Sequence, residues 1–284
     1  MLIPVEIRNG IPKYGTDYVT GNLSLERGLA VLNALKEADE ALGVRELARR
    51  LDMSAPAVQR ILNTLAKHGF VEQLPDSRRY RLGHSVLALA RDILRKDHLV
   101  VAAEPELQAL AAEGCFNAFL GVRSGGYGVY LLTVQSKSPV VIRSSPGEIF
   151  PLHSTALGKA LLLGLGREMI IGILGKSPLE QFTPRTITDP GNLAAQISAS
   201  EPVGYTTSLD ENFTGLIAVG APLRAAAGRI SAAISVAYPR SVGPHVEIAD
   251  VGEKLMAASA RIAASLGHRV TKETSGKDLR HVAQ

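Results

Sequence analysis

Residues 44–81 read VRELARRLDMSAPAVQRILNTLAKHGFVEQLPDSRRYR and contain two apolar stripes at helical spacing, separated by a short break. The stripes are formed first by Val44, Leu47, Ala48 and Leu51, then by Val58, Ile61, Leu62 and Leu65. Ser54 is a preferred N-cap, Pro56 is tolerated in a first helical turn, and Gly69 is a typical C-terminal stop. Two short amphipathic helices joined by a three-residue turn predict a helix-turn-helix, whose second helix enters the major groove of DNA.

The second predicted helix turns polar side chains away from its apolar stripe. Gln and Asn can pair with adenine and Arg with guanine, each worth about 1–3 kcal/mol of discrimination. A solvated helix face is the alternative, but the turn, the cap and the following hairpin together favour DNA contact. The residues turned away from the stripe are Ala55, Gln59, Arg60, Asn63 and Lys67, and the candidate DNA-binding set also includes Arg27, Arg45, Ser54 and Ala57.

Residues 70–82 predict a basic hairpin that would act as a wing beside this helix. Pro75, Asp76 and Ser77 are turn-forming residues between two short apolar patterns. The arginines at its tip and return strand suit phosphate or minor-groove contact, and they are Arg78, Arg79 and Arg81. A charged edge hairpin that resists aggregation is the alternative. Residues 42–96 carry 11 Lys/Arg and 5 Asp/Glu, a net charge of +6, whereas the whole chain has +4, so the basic surplus is local.

Length and composition limit the class of protein. A chain of 284 residues with 46% apolar residues is expected to form about two domains. It has no run of 18 or more apolar residues and no basic start followed by an apolar stretch, so we expect neither a membrane span nor a secretory signal. Cys115 is the single cysteine, which excludes an internal disulfide and suits the reducing cytoplasm. We expect it to be a buried thiol rather than a nucleophile.

The predicted domain organisation has five parts. Residues 1–21 lack periodicity and are expected to form a flexible arm. A first helix capped by Ser24, with an apolar stripe at Leu25, Leu29, Leu32 and Leu35, would pack on the two later helices. The parts are the arm 1–21, the winged helix-turn-helix domain 22–83, a linker helix 84–98 whose apolar face is free for a partner subunit, an effector domain 99–267, and a disordered tail 268–284.

The pattern changes after residue 115 to strands interrupted by Gly, Ser and Pro. Predicted strands lie at 116–122, 128–135, 140–144, 203–208, 215–224 and 229–238, with a turn at 225–228. Predicted helices lie at 99–113, 154–164, 167–174, 193–199 and 245–266. Helices flanking an antiparallel sheet predict an α+β domain.

Several motifs along the chain together resemble the IclR family of bacterial transcriptional regulators. They are SLER at 24–27, YRLG at 80–83, PLHSTALGKA at 151–160, FTPRTIT at 182–188, GY at 204–205 and ISV at 234–236. The resemblance spans about Ser24 to Leu266. It implies a winged helix-turn-helix domain, a linker helix and a GAF-like effector domain, assembled as homodimers or homotetramers. It also implies control of a catabolic operon in response to small organic acids, including aromatic acids.

The segment before the predicted helix at 154–164 is a candidate anion site. Hydroxyls and free N–H groups at a helix N-terminus favour a carboxylate, although an ordinary capped helix is the alternative reading. With the resemblance, the candidate effector-binding residues are Ser154, Thr155, Ala156, Leu157, Gly158, Ser208, Ala218, Ser235 and Ala237. Three of these positions depart from the family, which often has an acidic residue where this chain has Ser208, a Cys in place of Ala218 and a second Ser in place of Ala237. The less polar site favours a larger, flatter acid such as a hydroxybenzoate.

Enzyme motifs fit the chain poorly. The segment ending in Lys159 lacks the first Gly and the Ser or Thr of a phosphate-binding loop, and no Gly-x-Ser-x-Gly elbow occurs. The seven histidines are scattered, and Asp210 and Glu211 suit a solvated turn, so we expect no enzyme, cofactor or metal site. The main hypothesis is an effector-responsive, sequence-specific regulator. The alternatives are a small-molecule sensor with mainly nonspecific DNA binding and an acid-processing enzyme with a vestigial reader.

Overall fold

The chain forms two compact units, Met1–Arg95 and Lys96–Gln284, in a computed structural model. Its described residues are 6–8, 11–13, 22–113, 116–136, 142–175, 178–224, 230–242 and 246–278. Cys115 and the predicted turn at 225–228 lie outside them. The division falls inside the predicted linker helix.

The first unit begins with a short hairpin. Strand β1 (Glu6–Arg8) pairs antiparallel with β2 (Ile11–Lys13). A wholly flexible arm over residues 1–21 was therefore the wrong expectation for these six residues. The remaining residues of that arm lie outside the described part.

The winged helix-turn-helix is confirmed. It comprises α1 (Leu23–Lys36), α2 (Val44–Arg50), α3 (Ala55–Lys67), β3 (Val71–Gln73) and β4 (Tyr80–Leu82). The three helices and the wing enclose one apolar core that includes Val31, Leu47, Val58, Leu62 and Tyr80. Gly69 follows the end of α3 with a φ of 72°, a left-handed conformation that glycine adopts without strain.

The first helix differs from its prediction in its cap and its buried face. Asn22, not Ser24, is the N-cap, because its side chain accepts hydrogen bonds from the amides of Ser24 and Leu25. The buried face is formed by Val31, Ala34 and Leu35. Leu25 and Leu29 are exposed by 63% and 52%. The spacing of four leucines identified a helix correctly, but the core selected a neighbouring face.

Two consecutive helices follow the wing, α4 (Ser85–Lys96) and α5 (His98–Ala112). Asp97 caps the second of them by accepting a hydrogen bond from the amide of Leu99. In α4, Leu87 and Leu89 are exposed by 65% and 58%. This position agrees with the predicted linker helix, and an apolar face for a partner subunit stays a prediction.

The second unit is built on a six-stranded antiparallel sheet in the order β7-β6-β5-β10-β9-β8. Its strands are β5 (Asn117–Ser124), β6 (Tyr127–Val134), β7 (Ile149–Pro151), β8 (Thr206–Leu209), β9 (Leu216–Arg224) and β10 (Ile230–Pro239). Its helices are α6 (Ala156–Leu162), α7 (Arg167–Leu174), α8 (Pro190–Ala199) and α9 (Ile248–Asp278). Helices α5 and α9 cover one face, and α6 covers the other.

Two predicted elements of this unit are corrected. The predicted strand at 140–144 is absent over the described residues 142–144. The amide of Ile142 points to the side-chain oxygen of Asn117, at 3.4 Å, rather than to a neighbouring strand. The terminal helix continues to Asp278, so the predicted disorder is wrong for 268–278. That stretch is polar, but it contains no proline that would end a helix.

Candidate nucleic-acid interface and effector site

The reader helix α3 leaves most of its predicted contact residues accessible. Arg60, Asn63 and Lys67 are exposed, whereas Gln59 is half-buried. The Gln59 amide donates to the Asn63 side chain at 2.8 Å and to the hydroxyl of Tyr80 at 3.0 Å. Gln59 is thus held toward the wing. Bidentate pairing with adenine would require its amide nitrogen to give up one of these bonds, whereas its side-chain oxygen remains an acceptor.

The three wing arginines differ in what they contact. Arg79 donates to the carbonyl of Ala41 at 2.9 Å and lies 3.6 Å from a carboxylate oxygen of Glu46. Arg81 forms an ion pair with Glu72. Arg78 is exposed and has a φ of 54°, at the turn of the hairpin. Arg78 is therefore the wing arginine best placed to meet a phosphate directly.

The other predicted DNA-binding residues occupy varied positions. Arg45 is exposed on α2, and Ser54 is an exposed N-cap whose side chain makes no capping hydrogen bond. Ala55 is half-buried and packs on the domain core, so the prediction that it faces away from the apolar stripe is wrong. Arg27 and Ala57 line a groove between α1 and α3 that also includes Arg60.

Helix α6 packs very closely on β9 at Gly220, and its own Gly158 packs closely on the segment that precedes the helix. A Cβ added at Gly220 would lie 2.5 Å from the carbonyl oxygen of Ala156, and one added at Gly158 would lie 2.5 Å from the Cα of Leu152. The candidate residues Ala156, Leu157 and Gly158 are accordingly buried. Only residues without a side chain allow this approach of backbone to backbone.

The hydroxyl groups at the start of α6 are engaged within the protein. Ser154 donates to the side-chain oxygen of Asn212 at 2.8 Å. Thr155 donates to the carbonyl of Pro151 at 2.7 Å and accepts from the amide of Gly158 at 3.0 Å. Thr155 is therefore the N-cap of α6, whereas Ser154 contacts Asn212. Anion binding by these residues stays a prediction.

The remaining candidate effector residues share one face of the sheet. Ala237 of β10 pairs with Ala218 of β9, which pairs in turn with Ser208 of β8. The Ser208 hydroxyl donates to the carbonyl of Ser154 at 2.7 Å, so this row lies on the α6 side. Ala218 is half-buried, whereas Ala237 and Ser208 are buried. Small side chains thus form a floor that stays partly open at β9.

Two buried donors on this face lack full hydrogen bonding. Ser235 is 4% exposed, and its hydroxyl makes no hydrogen bond within the part of the chain that the structure describes. Asn117 is fully buried, and its side-chain oxygen accepts from the amide of Ser136 at 3.2 Å. The amide nitrogen of Asn117 reaches only the carbonyl of Ala237, at 3.5 Å. An amide nitrogen carries two N–H donors, so part of the donor capacity of Asn117 is unused on this face.

An aromatic cluster adjoins this floor. The rings of Phe119 and Tyr130 are 5.4 Å apart, and those of Tyr130 and Phe150 are 4.5 Å apart. Phe119 of β5 lies directly opposite Ser235 on the adjacent strand β10. Burial raises the pKa of Tyr130 to about 12, against the opposing effect of its hydrogen bond with Ser144. The phenol is neutral at physiological pH, as a tyrosine of ordinary pKa would be.

A buried ion pair joins α6 to the loop after β8. The ammonium of Lys159 lies 2.6 Å from both carboxylate oxygens of Glu211 and donates to the carbonyl of Thr207 at 3.0 Å. The two side chains are 1% and 6% exposed. Burial lowers the pKa of Lys159, and the carboxylate of Glu211 opposes that change. The expectation of a solvated turn at Asp210 and Glu211 is wrong, because both residues are buried.

Asp210 anchors the same loop. Its carboxylate accepts from Arg240 at 2.6 Å and from the amide of Gly215 at 2.8 Å, and Arg185 lies 3.4 Å away. The bond from Arg240 is the main reason that the pKa of Asp210 lies below its usual value. The hydroxyl of Thr183 donates to the Asp210 carbonyl at 2.6 Å. The loop is thus held by charge and by backbone contacts together.

His153 connects the residues before α6 to the segment around residue 180. Its Nε2 donates to the carbonyl of Glu180 at 2.9 Å, and its ring stacks on Phe182 at 5.6 Å. Burial lowers the pKa of His153. The uncharged ring is therefore the form that suits this position.

Sequence reasoning did not identify Asn117, Tyr130 or the partnership of Lys159 with Glu211. Phe119 and Tyr130 are isolated aromatics within strand patterns, and Asn117 opens a strand where a polar residue is unremarkable. The polar Lys159 within an otherwise apolar helix was the one available signal, because a lysine there needs a buried partner.

No three His, Cys, Asp or Glu side chains among the described residues are grouped so that they could hold a metal ion. None of the helices in the described ranges has the length and apolar character needed to cross a membrane.

A helix-turn-helix with an exposed polar second helix, joined to a separate α+β unit, defines a DNA-binding regulator with a sensor domain. Comparison with known proteins agrees: residues 24–75 match the IclR helix-turn-helix domain, and residues 91–264 match the bacterial transcriptional regulator IclR C-terminal domain. The chain belongs to the IclR family. It is therefore a transcriptional regulator with a C-terminal effector-binding domain of GAF-like α+β fold, and its relatives are regulators rather than enzymes.

Individual relatives extend over most of the chain. The transcriptional regulator XynR of Escherichia coli K12 is 26% identical over 86% of this chain and 97% of its own length. The transcriptional repressor AllR of the same strain is 27% identical over 87% of this chain and 91% of its own. An IclR transcriptional regulator from Alicyclobacillus acidocaldarius has a similar structure, with a TM-score of 0.76, 24% identity and coverage of 87% and 99%. An IclR homologue from Microbacterium hydrocarbonoxydans, solved with 4-hydroxybenzoate, has a TM-score of 0.71, 22% identity and coverage of 86% and 99%.

Proposed function

We propose that this protein binds a specific operator through α3 and the wing, and that a small aromatic acid bound in the C-terminal domain changes that binding. The regulated genes would form a catabolic operon for such an acid. The observation that carries the proposal is the floor of small residues with the unmet donors Ser235 and Asn117, next to the aromatic cluster. The 4-hydroxybenzoate bound by the Microbacterium homologue supports the same ligand class.

The proposed DNA contacts divide into two kinds. Asn63 and Arg60 are exposed on α3 and would read base edges, whereas Lys67 and Arg78 would bind phosphates. A homodimer or homotetramer would present two readers to a pseudo-palindromic site with half-sites roughly 34 Å apart. A footprint on one unpaired half-site would contradict that arrangement.

Fluorescence anisotropy tests specific binding directly. The probe is DNA from upstream of the gene's own operon, with a scrambled sequence of equal length as control. The salt concentration is held fixed, since phosphate contacts alone give strong binding when salt is low. We expect a preference for the upstream DNA of at least several hundred-fold. Equal binding to both sequences would favour the alternative, a small-molecule sensor with mainly nonspecific DNA binding.

Addition of benzoate, hydroxybenzoates, glyoxylate and pyruvate to the same assay tests the effector class. An acid can change operator binding only if it binds one arrangement of the protein better than another. We expect aromatic acids to change the anisotropy curve at lower concentrations than glyoxylate or pyruvate. The opposite order would rule out the aromatic class. Turnover of the bound acid would instead support an enzyme.

A further inference from the structure

We propose that Asn117 is a specificity-determining residue of the effector site, where its amide N–H acts with the Ser235 hydroxyl to bind one uncharged oxygen of the effector, such as a ring hydroxyl. This inference rests on the proposed function and names a contact that determines which acid is preferred. It is carried by the position, burial and unmet hydrogen bonding of these two side chains.

Strand register places both donors on one face. Asn117 pairs with Ala237, and Phe119 pairs with Ser235, on the adjacent strands β5 and β10. Ser235 and Asn117 are therefore diagonal neighbours, for which Cα atoms lie about 7–8 Å apart. A single oxygen between their side chains can accept from the amide and exchange a hydrogen bond with the hydroxyl at about 2.9 Å from each.

The orientation of the Asn117 amide follows from its neighbours. Its oxygen accepts from two backbone amides, those of Ser136 at 3.2 Å and Ile142 at 3.4 Å, so its nitrogen is the end directed at β10. One contact at 3.5 Å does not satisfy two N–H donors. The site therefore offers a donor held in place by the fold before any ligand arrives.

Charge favours an uncharged oxygen here. Lys159 is the buried cation among the described residues of this unit, and it is already paired with Glu211 at 2.6 Å. A carboxylate buried against two neutral donors would lack a counter-ion, whereas a hydroxyl would not need one. The acid would thus enter with its uncharged oxygen toward Asn117 and its ring over Ala237 and the half-buried Ala218.

Calorimetry on the full chain with benzoate, 3-hydroxybenzoate and 4-hydroxybenzoate tests the proposal. We expect the wild type to bind at least one hydroxylated acid about five- to tenfold more tightly than benzoate, the effect of one net hydrogen bond. Ser235→Ala should remove that preference and leave benzoate affinity within about twofold, and Asn117→Leu should remove the preference as well. Ser259→Ala is the control, because that buried serine donates to Pro222 on the other side of the sheet.

The ratio of affinities separates recognition from damage to the fold. Asn117→Leu also leaves two backbone amides unpaired, which would weaken both acids alike, whereas Ser235→Ala removes no hydrogen bond seen in the protein. A preference that survives in both variants, or both acids weakened equally in Ser235→Ala, overturns this inference and leaves the proposed function intact. A wild type that binds none of the three acids overturns the aromatic effector class itself.

Discussion

Replacement of Lys159 by methionine is expected to destabilise the C-terminal domain strongly. The ammonium is 1% exposed and lies 2.6 Å from both oxygens of Glu211, whose side chain is 6% exposed. Methionine fills the space but leaves a buried carboxylate without a partner, which costs about 3–5 kcal/mol. For a unit of this size, that corresponds to a fall in Tm of about 6–20 °C.

Differential scanning calorimetry of the full chain measures this effect. The paired variant Lys159→Met with Glu211→Leu should recover most of the loss, because removing both charges also removes the unpaired one. Lys254→Met is the matched control: its ion pair with Glu113 is about half exposed on both sides and should contribute less than about 1 kcal/mol. If Lys159→Met lowers Tm no more than Lys254→Met does, the buried pair is not what ties α6 to the loop.

Three further predictions follow from particular contacts. We expect His153→Gln to have a lower Tm than the wild type at neutral pH, and this difference to shrink as pH falls below about 6.5. The folded wild type holds the histidine uncharged while the unfolded chain takes up a proton, so acid destabilises the wild type but not the variant. Parallel curves of Tm against pH would contradict this. Gly158→Ala should lower the free energy of unfolding by about 1–3 kcal/mol, because the new Cβ meets the backbone of Leu152. Denaturant titration measures this change, and an unchanged midpoint would refute the close packing. Arg78→Ala should weaken binding to operator and scrambled DNA alike and reduce the salt slope by about 1, whereas a loss confined to the operator would mean base readout.

The helix-turn-helix was predictable because its signals are local. Apolar spacing located α2 and α3, Gly69 marked the end of α3, and turn residues located the wing. The same local rules misplaced the cap of α1, since Asn22 and Ser24 are both good caps and only the chain path chooses between them. They also could not say which leucines of α1 would be buried.

The effector site was predictable only in part. The resemblance identified Ser208, Ala218, Ser235 and Ala237, which strand register does bring onto one face. It also led to Ser154, whose hydroxyl turned out to be engaged by Asn212. No pattern along the chain links Asn117 to Ser235, because the strands that carry them are far apart in sequence.

The sequence by itself determined most of the elements, the local basic charge and the family, because periodicity, turn chemistry and local charge act over a few residues. The tertiary structure decided which polar groups meet: Lys159 with Glu211, 52 residues apart, and Asn117 with the β10 strand, 120 residues from Ala237. Such pairings depend on strand register and on which helix face is buried. Both are chosen by the packing of the whole core rather than by neighbours in the chain.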